Sequence, residues 1–330
     1  MLASVVMVLW LAAAPATDYA GADACRGCHP AVYADQSSSG HALALGYASP
    51  SQPGVWAFGA GAQAITFVRR LNSEYYLEEG ESWYRAKAGY ARTPGHLNSA
   101  GVRDRIFDPS AGILRCFSCH STGPVRISSD NSILPHELGV RCEVCHGPAA
   151  AHARDPSTFR PRNPRRLTAD ELNSFCGECH RKPAPAGETP NLRDPWNSRH
   201  QPLMLAASTC FRGSKGRLTC LTCHSPHRAL ERNVNAYDAV CTGCHSARRH
   251  KSPTAGRACA MCHMPRVPAQ PYLTFANHRI AVYSAADPLS PILSRDSYGG
   301  IRGRSRNWAT DLSNAVTVAA PTGGNHMSRP

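Results

Sequence analysis

The sequence lacks any long apolar segment beyond its first residues. After residue 16, no stretch approaches the roughly 18 uninterrupted apolar residues that a membrane-spanning helix needs. Apolar residues fill 42% of the 330 positions, slightly less than is usual for a globular protein. We therefore expect no transmembrane span in the mature chain, and only a thin conventional core.

Acidic residues are scarce. The chain has 23 Asp and Glu against 36 Lys and Arg, a formal net charge of +13. Such an excess usually indicates a nucleic acid or an anionic membrane as partner. The sequence has no nucleic-acid-binding motif, so we expect no nucleic-acid partner. Another negatively charged group should therefore balance the excess of Lys and Arg.

The first 16 residues predict a secretory signal peptide. The segment "MLASVVMVLWLAAAPATDYA" has an apolar run followed by Ala14-Pro15-Ala16, a small-residue cleavage site. The usual positive residues before the apolar run are missing, which leaves a buried first helix, an uncleaved anchor or a mis-set start codon as alternatives. The signal peptide therefore predicts that the protein is exported to a periplasmic or extracellular location.

Cysteine, by contrast, is abundant and follows one pattern. Of 15 cysteines, 14 lie in seven CxxCH motifs and only Cys210 lies outside them. Their first cysteines are 91, 26, 34, 44, 21 and 18 residues apart, so there is no repeat of fixed period. In chain order, motifs 1 to 7 are Cys25-Cys28-His29, Cys116-Cys119-His120, Cys142-Cys145-His146, Cys176-Cys179-His180, Cys220-Cys223-His224, Cys241-Cys244-His245 and Cys259-Cys262-His263.

The CxxCH pattern is typical of covalent haem attachment. Two thiols at this spacing can each add to one vinyl group of a haem, and the adjacent histidine can bind the iron. Zinc knuckles or disulfides are the alternative. However, seven CxxC pairs cannot be divided evenly into four-cysteine zinc sites. Neither zinc sites nor disulfides require a histidine directly after every second cysteine. The sequence therefore predicts seven covalent haem c groups with iron bound by the motif histidines.

Haem also accounts for the excess of basic residues. Two propionates on each of seven haems would bring 14 negative charges and change the net charge of +13 to −1 before the iron is counted. Arginine and lysine are suited to neutralise these carboxylates. Haem attachment outside the cytoplasm also agrees with the predicted signal peptide.

Nine histidines lie outside the motifs. A low-spin electron carrier needs a second strong ligand on each iron, usually histidine or methionine. Seven such ligands are needed, and the sequence supplies His41, His96, His136, His152, His200, His227, His250, His278 and His326. Met204 and Met264 are further candidates, although a core role suits Met204 and the turn after motif 7 accounts for Met264.

From residue 23 to residue 280 the chain resembles the multihaem cytochromes c of the doubled-CxxCH family, similar to the tetrahaem cytochromes c of ammonia oxidisers. The resemblance rests on "YADQSSSGHA", "GVRCEVCHGPAAAH", "STCFRGSKGRLTCLTCHSPH", "CAMCHMPR" and "ANHRI". It implies distal iron ligands at His41, His152, His227 and His278. His200 in "WNSRH" and His250 are similar positions, and His136 completes a set of seven. His96 and His326 are left as propionate partners or surface residues.

The segment "CLTCHSPH" contains two histidines with different expected roles. His224 follows motif 5's second cysteine and should bind the iron of that motif. Pro226 turns His227 away, so His227 is unsuited to the same iron and should reach a neighbouring one. The alternative is that His227 is a solvated loop residue.

The predicted fold is mostly α with much irregular coil, organised around stacked haems. "TADELNSFCGECH" begins with a capping box and predicts a helix that runs into motif 4. A small β-hairpin is expected near residues 63–90, where β-branched and aromatic residues alternate with polar ones around "EEGE". We expect residues 17–280 to form the heptahaem domain and residues 281–330 to form a poorly ordered or peripheral tail.

The sequence favours electron transfer along mainly bis-histidine haems in a respiratory pathway. Its partners would be redox proteins such as a quinol-linked membrane complex or other cytochromes. The alternative is a multihaem oxidoreductase with one open haem acting on a small nitrogen or sulfur compound such as nitrite or hydroxylamine. No CxxCK motif of the nitrite-reductase kind is present, and Tyr47, Tyr90, Arg92 and His96 are candidates for a distal pocket.

A third class is a homo-oligomer or filament that continues the haem chain between subunits through His326. The remaining cysteine, Cys210, is predicted to be a buried apolar thiol, with a reactive or intermolecular role as the alternative.

Overall fold

The computed structural model describes residues 18–49, 54–94, 105–107, 111–245 and 257–292. All seven motifs lie within these ranges. The signal-peptide prediction, the segments that contain His96 and His250, and the tail with His326 lie outside the described residues.

Short helices carry the motifs. Residues 164–166, 195–199 and 234–237 form 3₁₀ turns. The α-helices are α1 (Ala22–Arg26), α2 (Pro30–Ser37), α3 (Ala111–His120), α4 (Cys142–His146), α5 (Ala150–Arg154), α6 (Ala169–His180), α7 (Gln201–Ala206), α8 (Thr209–Gly213), α9 (Cys220–Cys223), α10 (Asp238–Thr242) and α11 (Cys259–His263).

In the described part of the chain, the strands pair antiparallel in one six-stranded sheet and three two-stranded ribbons. They are β1 (Leu45–Tyr47), β2 (Val55–Phe58), β3 (Ala64–Arg70), β4 (Tyr76–Tyr84), β5 (Gly89–Arg92), β6 (Arg105–Phe107), β7 (Ser121–Ile127), β8 (Ile133–Leu138), β9 (Arg266–Gln270), β10 (Leu273–Ala276), β11 (Tyr283–Ser284) and β12 (Asp287–Pro291). The large sheet has the order β1-β2-β3-β4-β5, and β6 also pairs with β4.

The hairpin predicted near residues 63–90 is present as β3 and β4. Its register runs from Ala64 opposite Tyr84 to Arg70 opposite Tyr76. The turn lies at residues 71–75, where the Asn72 side chain accepts hydrogen bonds from two backbone amides. The "EEGE" segment lies inside β4 rather than at the turn.

The described part of the chain is mixed α and β, which corrects the expectation of a mostly α fold with one small hairpin. The hairpin is the centre of a six-stranded sheet. Strands β1, β2, β5 and β6 have three or four residues each, too few for an alternating pattern to be evident in the sequence. Their pairing depends on long-range contacts that local sequence does not encode.

The main hydrophobic core joins the sheet to the helix of motif 2. Ile113 and Phe117, one helical turn apart on α3, are fully buried. Phe117 meets Trp56 and Phe58 of β2 edge to face, with ring centroids 5.3 and 5.1 Å apart. Such aromatic contacts add to the gain from apolar burial, so the sheet provides a rigid support for motif 2.

A second, smaller core holds the helix of motif 4. Ala169, Leu205 and Phe211 form its buried centre, with Cys220 of motif 5 packed against it. The predicted capping box is confirmed at the start of α6: the Thr168 hydroxyl accepts from the Glu171 amide, and the Glu171 carboxylate accepts from the Thr168 amide. This core places motifs 4 and 5 side by side.

The ribbon β11–β12 falls in the segment that we expected to be a poorly ordered or peripheral tail. Its register places Tyr283 opposite Pro291 and Ser284 opposite Asp287. The side-chain Nδ2 of the buried Asn277 donates to the Pro288 carbonyl at 2.9 Å. The rest of the predicted tail, residues 293–330, lies outside the described residues.

Candidate haem sites

Each motif lies on or beside one helical turn. In motifs 1, 5 and 6, for example, the histidine amide donates to the carbonyl of the first cysteine at 2.9, 3.0 and 2.9 Å. A helical turn puts residues i and i+3 on the same face. The two thiols of a motif therefore project together, and the histidine stands directly beside them.

No cysteine in the described part of the chain forms a disulfide, and cysteine side chains of different motifs lie close together. The hydrogen bond from Cys179 lowers the pKa of Cys119 to about 6, and the one from Cys25 lowers the pKa of Cys142 to about 7. Such contacts show which motifs are neighbours in space. Among the described residues they are Cys25 with Cys142, Cys119 with Cys179, Cys176 with Cys220, and Cys241 with Cys259.

Among the described residues, four motif histidines each lie next to a histidine from a distant segment. Every pair combines the histidine of one motif with one of the histidines outside the motifs. The pairs, with ring-centroid distances and interplanar angles, are His29 with His152 (6.5 Å, 21°), His180 with His41 (6.1 Å, 63°), His146 with His227 (6.1 Å, 18°) and His224 with His278 (6.2 Å, 41°).

The separations fit an iron held between two imidazoles. Imidazole nitrogens bind transition metals at about 2 Å, and each nitrogen lies about 1 Å from its ring centroid, so an iron between two rings requires centroids about 6 Å apart. Each pair offers only two protein ligands, which suits an iron whose remaining positions a porphyrin fills. Among the described residues, no group of three or more His, Cys, Asp or Glu is placed to hold a metal ion.

Backbone carbonyls orient many of these imidazoles. A histidine that binds metal through Nε2 usually donates its Nδ1–H to such an acceptor. The Nδ1 atom lies 2.8 to 3.0 Å from a carbonyl in five histidines and 3.5 Å from one in His41. The contacts are His120 with Ala44, His146 with Arg162, His152 with Phe159, His263 with Ala281, His278 with Ala276 and His41 with Pro226.

Burial keeps several of these rings neutral. It lowers the pKa of His180, His224 and His227, and it lowers the pKa of His278 to about 4. The neutral imidazole is the form that binds a metal ion. The environment of these side chains therefore suits ligation.

Two histidines predicted as distal ligands have other contacts. His136 contacts the ring of Tyr19 at 5.5 Å. His200 Nε2 accepts a hydrogen bond from Arg199 at 3.1 Å, and burial, followed by the nearby arginine charges, lowers the pKa of His200 to about 4. The structure does not bring either ring face to face with a motif histidine among the described residues.

The motif histidine His120 lies against an aromatic ring. Phe58 approaches it edge-on, with centroids 5.3 Å apart. The residues proposed for a distal pocket contact the sheet: Tyr47 stacks on Trp56, and Tyr90 contacts Phe67. Met204 is fully buried in α7, as a core role requires, and Met264 follows motif 7 directly.

Sequence reasoning missed Glu143, inside motif 3. Its side chain is buried, and its two carboxylate oxygens accept hydrogen bonds from the amides of Ala20, Gly21 and Ala149, each at 2.8 Å. A carboxylate that accepts several backbone amides is a strong structural anchor. Glu143 thus ties the segment before motif 1 to motif 3, and nothing in its local sequence indicates that long-range role.

The second residue missed is Arg162, which wraps around the end of α4. Its Nε donates to the Cys145 carbonyl at 3.1 Å, and its guanidinium lies 4.7 Å from the centroid of the Phe175 ring. Its own carbonyl accepts from His146. The contacts bind the loop after α5 to motif 3 and fix the His146 ring.

A partly open cavity of about 520 Å³ borders motif 3. Its lining includes His146, Phe159 and Arg162. These residues combine one iron-ligand candidate with an apolar ring and a cation, the chemistry that a porphyrin with propionates requires. Among the described residues, no helix is long and apolar enough to span a bilayer.

No model of a known protein family matches the chain. Over 172 residues the chain is 26% identical to the multihaem cytochrome MtrA of Shewanella baltica; the aligned part covers 46% of this chain and 45% of that protein. The chain thus spans about half the length of the curated relative it matches.

Two solved structures resemble the chain at 16% sequence identity each. The undecahaem cytochrome from the S-layer of Carboxydothermus ferrireducens gives a TM-score of 0.46, covering 79% of this chain and 52% of that one. The crystal structure of the outer cell wall cytochrome OcwA gives a TM-score of 0.54, covering 80% of this chain and 79% of that chain. The chain therefore shares the fold of the cytochrome OcwA and is similar in sequence to a multihaem cytochrome.

Proposed function

We propose that this protein is an exported multihaem c-type cytochrome that carries electrons through seven covalently bound haems. The observation that carries the proposal is the set of four histidine pairs, each joining a CxxCH motif to a remote histidine at 6.1 to 6.5 Å. Bound haem would supply reversible one-electron iron chemistry.

The four histidine pairs assign the second axial ligand of four haem irons. His152 would complete the iron of motif 1, His227 that of motif 3, His41 that of motif 4 and His278 that of motif 5. The irons of motifs 2, 6 and 7 would be bound by His120, His245 and His263, for which His136, His200 and His250 remain the proposed partners. The fourteen motif cysteines would form the thioether bonds.

The chain itself would hold the imidazoles in fixed positions. A carbonyl on Nδ1 sets the orientation of a ring, and two strong ligands leave no open position on the iron. Every paired iron would also tie two distant segments together. This arrangement suits a carrier, which needs little movement between oxidation states.

Export and redox partners are part of the proposal. The names of the similar proteins describe a multihaem cytochrome and an outer cell wall cytochrome, which supports a place outside the cytoplasm. We propose that the donors and acceptors are other redox proteins, such as a quinol-linked membrane complex or cytochromes.

The test is to express the full chain with the haem-attachment machinery and measure the haem-to-protein ratio, the mass and the ferric spin state. We expect seven haems per chain and a predominantly low-spin electron paramagnetic resonance spectrum. A mass equal to that of the bare polypeptide would refute the proposal, and several high-spin irons would refute the carrier role.

A multihaem oxidoreductase is the second candidate, because among the described residues the ring contact of His120 is with Phe58 and not with a histidine. An iron at motif 2 with an open position would bind a small nitrogen or sulfur compound. Titration with nitrite, hydroxylamine, cyanide and carbon monoxide tests this candidate. A spectral change in one haem of seven with turnover would favour it, and the absence of any binding would exclude it.

A further inference from the structure

Residues 277–282, which we call the connector, join β10 to β11 and contact two candidate haem sites. The ring of His278 lies 6.2 Å from that of His224 in motif 5. The Ala281 carbonyl lies 2.9 Å from Nδ1 of His263 in motif 7, and the Ala281 amide donates to the His263 carbonyl at 3.2 Å. One short segment therefore supplies the proposed second ligand of one iron and the acceptor that orients a ligand of another.

Asn277 is the first residue of the connector, and it is fully buried. Its side-chain Oδ1 accepts a hydrogen bond from the Arg279 backbone amide at 2.9 Å. A bond from an asparagine side chain to the amide two residues later closes an Asx turn, which fixes the backbone of the residue between them. That residue is His278, so the Asn277 side chain sets the backbone from which the His278 ring projects.

The amide nitrogen of the Asn277 side chain holds the connector to the β11–β12 ribbon. Nδ2 donates to the Pro288 carbonyl of β12 at 2.9 Å and to the Tyr283 hydroxyl of β11 at 3.2 Å. A side-chain amide has two N–H donors, and both have acceptors here. The Tyr283 hydroxyl donates in turn to the Arg279 carbonyl. The backbone of Arg279 is thus held at its amide by Asn277 and at its carbonyl by Tyr283.

The peptide group between Ala276 and Asn277 is linked to both sites. Its carbonyl lies 3.0 Å from Nδ1 of His278, and its amide donates to the Pro265 carbonyl at 3.0 Å, two residues after motif 7 ends at His263. A carbonyl that accepts from Nδ1 fixes the orientation of a metal-binding imidazole and raises its basicity. A rotation of this one peptide group would therefore change the His278 ring and the chain that leaves motif 7.

From these contacts we propose that Asn277 is a positioning residue for two haem irons. By fixing the connector, its buried side chain sets the His278 ring at motif 5 and the Ala281 carbonyl that orients His263 at motif 7. The inference rests on the proposed function, since it concerns two of the irons that the proposed function assigns. Asn277 itself is not a ligand, and it acts through these two histidines.

The role of Asn277 has a consequence for the reduction potentials. The potential of a haem depends on its axial ligands and on the hydrogen bonds that those ligands make. Because one side chain fixes the surroundings of His278 and of His263, its loss should change two haems together. In N277A both irons keep their two ligands, so they should stay low-spin while their spectra and potentials shift.

Thr93 provides a matched control, because it is also buried and polar. Its hydroxyl donates to the Glu79 carbonyl at 2.6 Å and lies 2.9 Å from the Ser82 hydroxyl, and both partners belong to β4. T93V removes these hydrogen bonds and nearly preserves the shape of the side chain. N277A and T93V should both unfold at a lower denaturant concentration, since each leaves a buried carbonyl without its donor. A loss of stability alone therefore does not distinguish the two variants.

The test compares the matured full-length wild type with N277A and T93V by ferric electron paramagnetic resonance and by a spectroscopic redox titration. The g values of a low-spin ferric haem depend on how its two imidazole planes are oriented. H278A marks the signal of motif 5, and C259A/C262A removes that of motif 7. We expect these two low-spin signals, with their midpoint potentials, to shift in N277A. We expect all signals of T93V to match those of the wild type.

Unchanged signals in N277A would overturn the proposal, and so would a shift confined to one haem or the same shifts in T93V. If N277A does not mature, Y283F decides the case. It removes the hydroxyl that holds the Arg279 carbonyl but keeps the Asx turn, so it should shift the same two signals by less. Unchanged signals in Y283F would then overturn the proposal. A wild-type chain without covalent haem would instead refute the proposed function.

Discussion

The ring of His227 lies 6.1 Å from that of His146 and only 18° from parallel to it. The chain leaves α9 at His224, whose backbone is extended, and Pro226 carries it away from motif 5. His224 faces His278 instead. The two histidines of "CLTCHSPH" are thus directed to two different sites.

Replacement of His227 by Ala should leave one iron without its second strong ligand. We expect a high-spin ferric signal equal to one haem of seven in H227A, because alanine offers no ligand. H227M is the matched control, since methionine also binds haem iron and should restore the low-spin state with a raised potential. An unchanged spin state in H227A would contradict the assignment of His227 to motif 3.

Replacement of Glu143 by Gln should destabilise the protein by about 1–3 kcal/mol, the usual cost of unpaired buried polar groups. The glutamine NH₂ group cannot accept the hydrogen bonds that one carboxylate oxygen now accepts from a backbone amide. Denaturant unfolding followed by far-ultraviolet circular dichroism measures the loss.

The control for E143Q is E178Q. Glu178 forms an ion pair with Lys182 in which both side chains are more than half exposed, and such pairs contribute about 0–1 kcal/mol. An equal loss of stability in the two variants would contradict the anchoring role of Glu143.

The local features of this protein could be predicted from its sequence, and the long-range ones could not. CxxCH and the capping box at Thr168 are short patterns whose geometry lies within one helical turn. The partner of each histidine depends on how distant segments pack. His227 could be excluded from its own motif by the adjacent proline, but nothing local directs it to His146.

In the sheet, too, local features were predictable from the sequence and long-range ones were not. The β3–β4 hairpin has a long alternating pattern and an Asn72 turn, and it was predictable. Strand β1 has three residues, and its place in the sheet depends on pairing with β2. Glu143 was missed for the same reason, because its partners Ala20 and Gly21 are more than 120 residues away.

The helix of motif 4 should lose stability in acid through Glu171. Hydrogen bonds from Thr168 lower the pKa of Glu171 below its ordinary value. A carboxylate with a lowered folded-state pKa stabilises the fold above its unfolded pKa, and this contribution is lost as pH falls through the folded pKa. The stability difference between wild type and E171Q should therefore be full at neutral pH and disappear in acid.

Chemical unfolding of wild type and E171Q at several pH values below and above the ordinary glutamate pKa measures this difference. D170N is the control, because Asp170 lies in the same first turn of α6 and the capping box does not include it. A pH-independent difference between wild type and E171Q would show that the carboxylate charge is not involved in the cap.

Replacement of Gly139 by Ala should displace the segment that carries His41. Gly139 has φ +77°, and an added Cβ would lie 1.9 Å from the Ala42 carbonyl oxygen, far inside contact distance. The neighbouring Val140 amide donates to the His41 carbonyl at 2.8 Å, so the clash acts next to the proposed ligand. We expect lower stability in G139A together with a high-spin signal from one haem of seven.

The matched control separates the clash from backbone strain. Gly187 also has a positive φ, +89°, but an added Cβ would meet nothing within 4 Å. G187A should therefore carry the cost of the left-handed backbone, about 1 kcal/mol, without any change in spin state. Because the rings of His41 and His180 lie 6.1 Å apart, a high-spin signal in G139A but not in G187A would support an iron held between them, and its absence would contradict the assignment of His41 to motif 4.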